Sequence, residues 1–224
     1  MFGGRIDGGL PWTGPSFSTR VVYLIHGIDA LFGGLVHLPR GLTAMTRTVM
    51  TYRDYAALPD DGQRYEIHDG ELSVTPAPSP QHQIVTRNLF RVLDDHVRRR
   101  GIGEVLFAPL DVILADTVIV QPDIVYLALD RLDRISRRGI EGAPTLAVET
   151  LSPSTTTIDR DTKRGLYARH RVPFFWLVDP VACVVEAFTL GSRGYALTAE
   201  ARGPVPLDLP PFTDLGLIPS SLWA

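Results

Sequence analysis

The spacing of apolar positions changes repeatedly along this chain, and the changes divide it into elements. Thr51 to Leu58 predicts a short helix, stopped by Pro59 and the Asp60-Asp61-Gly62 turn. Residues 65–68 and 71–75 predict a hairpin, with Asp69-Gly70 as its tight turn. Pro76, Pro78 and Pro80 then break the chain. Ser79 can cap a helix whose first turn accepts Pro80. Within residues 81–99, Ile84, Leu89, Val92, Leu93 and Val97 fall close to helical spacing. Arg98, Arg99 and Arg100 suit the negative end of that helix dipole, and Gly101 and Gly103 stop it.

Strand-like runs follow. Residues 104–108 and 110–114 flank Pro109, and 118–127 reads as one strongly apolar strand. The stretch 130–143 is polar and rich in arginine. Residues 145–151 suit a buried strand. Ser152-Pro153-Ser154 turns the chain into a helix over about 156–170. Residues 174–178 and 184–190 are the last clear strands, joined at Asp179-Pro180, and the proline-rich tail from 203 reads as a surface wrap. The order is hairpin, long helix, three strands, helix, two strands. It predicts an α/β fold in which a mixed β-sheet is flanked by helices.

Residues 1–50 differ in kind. Four arginines and two aspartates give them a formal +2, whereas residues 51–224 carry 18 basic and 23 acidic residues, a formal −5. The most apolar stretch, 21–38, is interrupted by His26, Asp29 and His37, which argues against a membrane span. It lies too far along the chain, with no basic head before it, for a secretory signal. Met45 and Met50 are alternative starts. The expectation is an N-terminal extension over residues 1–49, disordered or added by an upstream start, and a single domain over 50–224.

At 224 residues the chain can bury a real core without disulfides. Its one cysteine, Cys183, excludes an intrachain disulfide and a four-cysteine zinc site; its apolar neighbours make it an expected inert core residue. A hydrophobic share of 45% with a net charge of −3 excludes a disordered chain and a nonspecific polybasic binder, leaving room for a local basic face. One cysteine and no evident targeting motif point to a reducing cytoplasm.

Two carboxylates stand in apolar strands: Asp123 in Val-Gln-Pro-Asp-Ile-Val and Glu149 in Leu-Ala-Val-Glu-Thr-Leu. Asp111 is a third, in Pro-Leu-Asp-Val-Ile-Leu. A carboxylate so placed is costly to bury unless it is paired or bound to a cation. Pro122 favours an edge or bulge that re-aims its neighbour. Hard cations such as Mg²⁺ take one or two carboxylates plus water and substrate phosphate. Of the 22 basic residues 21 are arginine, and the only lysine is Lys163, on the helix that follows the Glu149 strand. Lysine is a compact charge that arginine replaces poorly, and this position can face the same pocket.

From Met50 to about Leu190 the chain resembles the Uma2 family of restriction endonuclease-like proteins. The matching pieces are Tyr65 to Leu72, Pro78 to Gln83, Ala108 to Val112, Gln121 to Val125, Glu141 to Pro144, Val148 to Ser154, Lys163 to Tyr167 and Phe175 to Pro180. Met50-Thr51-Tyr52 also resembles a typical family start. The resemblance implies a PD-(D/E)XK nuclease core with Asp123 as the motif aspartate and Glu149 as the second acid. The usual lysine lies two residues after that acid, where this chain has Leu151, so the ammonium moves to Lys163. It further implies a Mg²⁺- or Mn²⁺-dependent endonuclease with catalytic Asp123, Glu149 and Lys163, and with Asp123 and Glu149 holding the metal, helped by Asp111.

DNA is then the expected partner, RNA stays open, and symmetry suggests a homodimer. Arg98–Arg100, Arg131, Arg134, Arg137, Arg138 and the arginines of 160–171 are candidate phosphate contacts. Around them, His82 reads first as a surface or capping residue, Glu66 as a further acid from the N-terminal part, and Tyr167 as packing against or orienting Lys163. A non-catalytic binder of nucleic acid or protein on the same fold, and a phosphohydrolase of small nucleotides, are the alternatives.

Overall fold

The structure, a computed structural model, describes residues 49–224. Apart from Val49, the expectation for the N-terminal extension concerns residues outside those described. A short helix α1 (Tyr52–Tyr55) precedes strands β1 (Arg64–His68) and β2 (Glu71–Thr75), helix α2 (Pro80–Arg100), and strands β3 (Gly103–Phe107), β4 (Val112–Ala115), β5 (Val118–Val120) and β6 (Ile124–Ala128). A 3-10 segment (Leu129–Arg134) leads to β7 (Ile135–Ser136), β8 (Gly139–Glu141) and β9 (Leu146–Thr150). A π-helical turn (Ile158–Lys163) runs into α3 (Arg164–Arg169), followed by β10 (Phe174–Asp179), β11 (Val184–Gly191), β12 (Gly194–Arg202) and a last 3-10 turn (Pro219–Leu222).

The strands form two sheets, where the sequence predicts one. The first has the order β2-β1-β5-β4-β8-β7 and the second β12-β11-β10-β9-β6-β3. Both are mixed: β9 runs parallel to β10, and β4 parallel to β8. The apolar run 118–127 is where the chain changes sheets. Val118–Val120 pairs in the first and Ile124–Ala128 in the second, with Gln121-Pro122-Asp123 between them. Pro122 has no N–H to give to a ladder, so pairing stops there.

Side chains of the second sheet alternate between two cores, as a period of two requires. Ile124, Tyr126, Leu146, Val148 and Trp176 join Val85, Leu89, Leu93 and Val97 of α2. Val125, Leu127, Ala147, Phe175 and Leu177 join Leu166 and Tyr167 of α3, together with Val112, Val118, Val120 and Ile140 of the first sheet.

Three local expectations are corrected. The tail is part of the core: Leu209, Phe212, Leu217 and Leu222 are buried in the α2 cluster, and Trp176 Nε1 donates to the Pro210 carbonyl at 2.7 Å. Strand β12 went unread because it is a mostly exposed edge strand rich in alanine, a weak strand former. Cys183 is exposed in the turn before β11, at a φ of 52°, because its apolar neighbours begin the strand one residue later.

Candidate active site

Three local devices aim the candidate residues. In β9, Ala147 and Glu149 share the face turned away from α2, so Glu149 points toward the helical segment that follows. Ser79 caps α2 by accepting the backbone N–H of His82 at 3.2 Å, and Pro80 fits the first turn. That cap fixes the ring that reaches Asp123. The turn 158–163 is π-helical, a form frequent at functional sites, and it carries both buried Asp159 and buried Lys163.

Lys163 is buried among acids. Its Nζ lies 3.0 Å from Glu66 Oε1, 3.2 Å from both Glu149 oxygens and 3.7 Å from Asp159 Oδ1. Tyr167 donates its hydroxyl to Glu149 Oε1 at 2.6 Å. Glu66 Oε1 also accepts the Gln121 backbone N–H at 2.6 Å, and Glu66 Oε2 lies 3.0 Å from His68 Nε2. Asp123 sits at the crossing between sheets. Its Oδ2 accepts the Thr150 N–H at 2.8 Å and lies 3.2 Å from His82 Nε2, while its Oδ1 faces Arg64 Nη1 at 3.8 Å, beyond hydrogen-bond reach. Asp123, Glu149, Asp159, Lys163, His82 and Arg64 line one cavity of about 210 Å³.

One ammonium faces three buried carboxylates, and the charges settle unequally. Burial raises the Glu66 carboxyl, but the Lys163 charge and then His68 outweigh it and hold Glu66 at about 2. Burial pushes Glu149 well above the usual carboxylate range; Lys163 opposes this, and the charges of Asp159, Asp123 and Glu66 add to it. Asp159 is raised in the same way, chiefly by burial. Burial alone would lower Lys163, yet Glu149, Glu66 and Asp159 raise it, so it stays charged. His82 is raised as well: burial opposes the shift and the hydrogen bond to Asp123 overcomes it. The cluster therefore holds more acid than its ammonium can neutralise, which is the electrostatic condition for a cation site.

Among the described residues no three His, Cys, Asp or Glu side chains converge as a ready-made metal site. Asp123 and Glu149 nonetheless fit Mg²⁺ or Mn²⁺ as a donor set. Both are hard oxygen ligands in one cavity, one Asp123 oxygen accepts no hydrogen bond from the described residues, and one or two carboxylates are the usual protein share for such a cation.

Asp123, Glu149 and Lys163 thus meet. Asp111 does not join them: its Oδ1 accepts from Tyr55 Oη at 2.7 Å and Gln121 Nε2 at 2.8 Å, and it lines a different depression with Arg137 and Arg138. Gln121 connects the two places, since its backbone N–H holds Glu66 and its Oε1 accepts from Arg64 Nε at 3.2 Å. His82 is a buried partner of Asp123 as well as part of the cap, a correction to its surface reading. Asp159 and Arg64 went unread in the sequence. Asp159 lies i,i+4 from Lys163 on the expected helix, and that spacing could have found it. Arg64 had no local signal.

Most arginines expected to meet phosphate are occupied within the protein. Arg98, Arg99 and Arg100 pair with Asp94, Asp95 and Asp214. Arg131 and Arg134 donate to the Ala143 carbonyl, Arg138 pairs with Glu141, and Arg160 with Glu186 and Asp179. No helix of the described residues is long and apolar enough to cross a membrane.

Compared with known proteins, residues 52–219 match the model of the Uma2 family, described as "Putative restriction endonuclease". Among solved structures, the chain is similar to a putative nuclease belonging to DUF820 from Anabaena variabilis, with a TM-score of 0.63 and 20% identity over 78% of this chain and 97% of that one. At that identity the likeness bears on the fold. No curated protein matches the chain.

Proposed function

The chain belongs to the Uma2 family, and from that premise we propose that it is a metal-dependent endonuclease hydrolysing nucleic-acid phosphodiester bonds at Asp123, Glu149 and Lys163. The observation that carries the reading is the buried Lys163 ammonium, 3.2 Å from Glu149 in a cavity that Asp123 also lines. Asp123 and Glu149 would hold Mg²⁺ or Mn²⁺. When bound, such an ion polarises a phosphoryl oxygen and lowers the pKa of a coordinated water.

The chain's own groups do the rest. Lys163, charged throughout the neutral range, stabilises negative charge that develops on the phosphate. Tyr167 fixes the rotamer of Glu149, and His82 with the Thr150 N–H fixes that of Asp123. Arg64, beside Asp123 at the cavity wall, is placed to meet a backbone phosphate. Asp111 is left out of the metal set because Tyr55 and Gln121 hold it elsewhere.

The test is cleavage of supercoiled plasmid by the full chain with Mg²⁺, with Mn²⁺ and with EDTA. Metal-dependent nicking is expected, lowered at least about 100-fold in Glu149→Ala and in Lys163→Ala. Full cleavage by Glu149→Ala would overturn the reading. DNA retention with no turnover under any metal would replace it with a binding module on the same fold.

A further inference from the structure

A second cavity, of about 580 Å³, opens beside the acid cluster and shares Arg64, Pro78, His82 and Asp123 with it. One wall is a stripe of α2. His82, Thr86 and Phe90 form one i,i+4 row, and Gln83, Arg87 and Arg91 the neighbouring one. Phe107, at the end of β3, and Pro109 close the other side. Phe107 is 59% exposed and is the one exposed aromatic side chain among the described residues. It is not loose: its ring packs on that of Phe90, with centroids 4.7 Å apart at 65°.

Among the described residues, the two arginines of this wall have no acidic partner. Arg87 donates only to the neutral Oδ1 of its neighbour Asn88, and neither Arg87 nor Arg91 pairs with an acid among the described residues. The arginines at the end of the same helix each have an aspartate. Two like charges at i,i+4 destabilise a helix, and an anion bound between them reverses the sign. An exposed aromatic platform beside an unneutralised cationic row, both continuous with the acid cluster, matches how unpaired strands are held. Bases stack on the ring, and the backbone follows the charge.

We propose, resting on the nuclease reading, that this groove takes an unpaired nucleotide next to the scissile phosphate, its base on Phe107 and its flanking phosphates on Arg87 and Arg91. The substrate class is then single-stranded or locally unpaired nucleic acid. In a duplex the base faces are covered by stacking and reach Phe107 only if extruded.

The experiment measures fluorescence anisotropy of labelled oligonucleotides of about 12 nucleotides with the full chain in EDTA, so that binding is read apart from turnover. The probes are a single DNA strand, the RNA strand of the same sequence and the blunt DNA duplex. At least one single strand is expected to bind about 10-fold or more tightly than the duplex. Phe107→Ala is expected to weaken that binding by about 5- to 100-fold, and Phe107→Trp to restore it. Because Phe107 is exposed, Phe107→Ala should melt close to wild type, and the Trp variant guards against a folding artefact. Equal affinity of Phe107→Ala and wild type, or of strand and duplex, would overturn the inference. Cleavage of the same strands with Mg²⁺ is scored in parallel. Metal-dependent cleavage with binding indifferent to Phe107 overturns the groove assignment and leaves the nuclease reading standing. Phe107-dependent binding without metal-dependent cleavage of either the strands or the plasmid supports the groove and overturns the nuclease reading.

Discussion

Glu66 is the residue on which the charge balance of the site turns. Held at about 2 by Lys163 and His68, against a usual value of 4.5, it stays ionised in the folded protein at pH values where an unfolded chain binds a proton. Its folded value is depressed, so its contribution is complete above about pH 4.5 and is lost as pH falls through 2. The shift corresponds to roughly 3 kcal/mol. Glu66→Gln should therefore be less stable than wild type by about that amount near neutrality, with the gap closing as pH falls from about 4.5 to 2. Urea unfolding across that range measures it, and a gap constant with pH would show that Glu66 is not the anion facing Lys163. Glu149 carries the opposite sign. Its raised value opposes ionisation in the folded state, which a bound cation would relieve.

At the scale of elements, the signals within a few residues were read correctly. The hairpin turn is Asp69-Gly70, both at positive φ (52° and 82°), as the shortest hairpin loops demand. Helix α2 starts at Pro80 behind the Ser79 cap and ends at Gly101 with a φ of 60°. The cap also serves the site, because it orients the turn that carries His82 to Asp123. Ser79→Ala is expected to cost about 1 kcal/mol of stability and to lower the nicking rate as well, a pairing that denaturation and plasmid assays on one preparation can check. An unchanged rate would mean that the His82 ring is held by Asp123 alone. Where pairing partners decide, local reading fell short: the run 118–127 is two strands in two sheets, and the polar stretch 130–143 contains the short strands β7 and β8.

For the whole molecule, the tail is the largest revision. Leu209, Phe212, Leu217 and Leu222 are buried side chains, each contributing about 1.5–3 kcal/mol. Their loss, about 6–12 kcal/mol together, is comparable with the total stability of an ordinary domain, about 5–15 kcal/mol. A chain ending at Arg202 is therefore expected to lose cooperative thermal unfolding in calorimetry. A sharp transition near that of the intact chain would show that the sheet and α2 suffice.

What the sequence determined by itself are features that act over a turn of helix or a pair of strand residues: caps, the hairpin turn, the helix stop and the burial of runs such as Leu146–Thr150. The resemblance carried by short motifs pointed to Asp123, Glu149 and Lys163 as expected site residues, and the fold brings these three to one cavity. Only the tertiary structure decided that Glu66 from β1 and Asp159 crowd the same ammonium, that Asp111 is drawn off by Tyr55 and Gln121, and that Arg64 rather than the arginine-rich stretch meets the cavity. The physical reason is that the cost of burying a charge depends on which elements pack around it. No pattern along a single strand or helix records that packing.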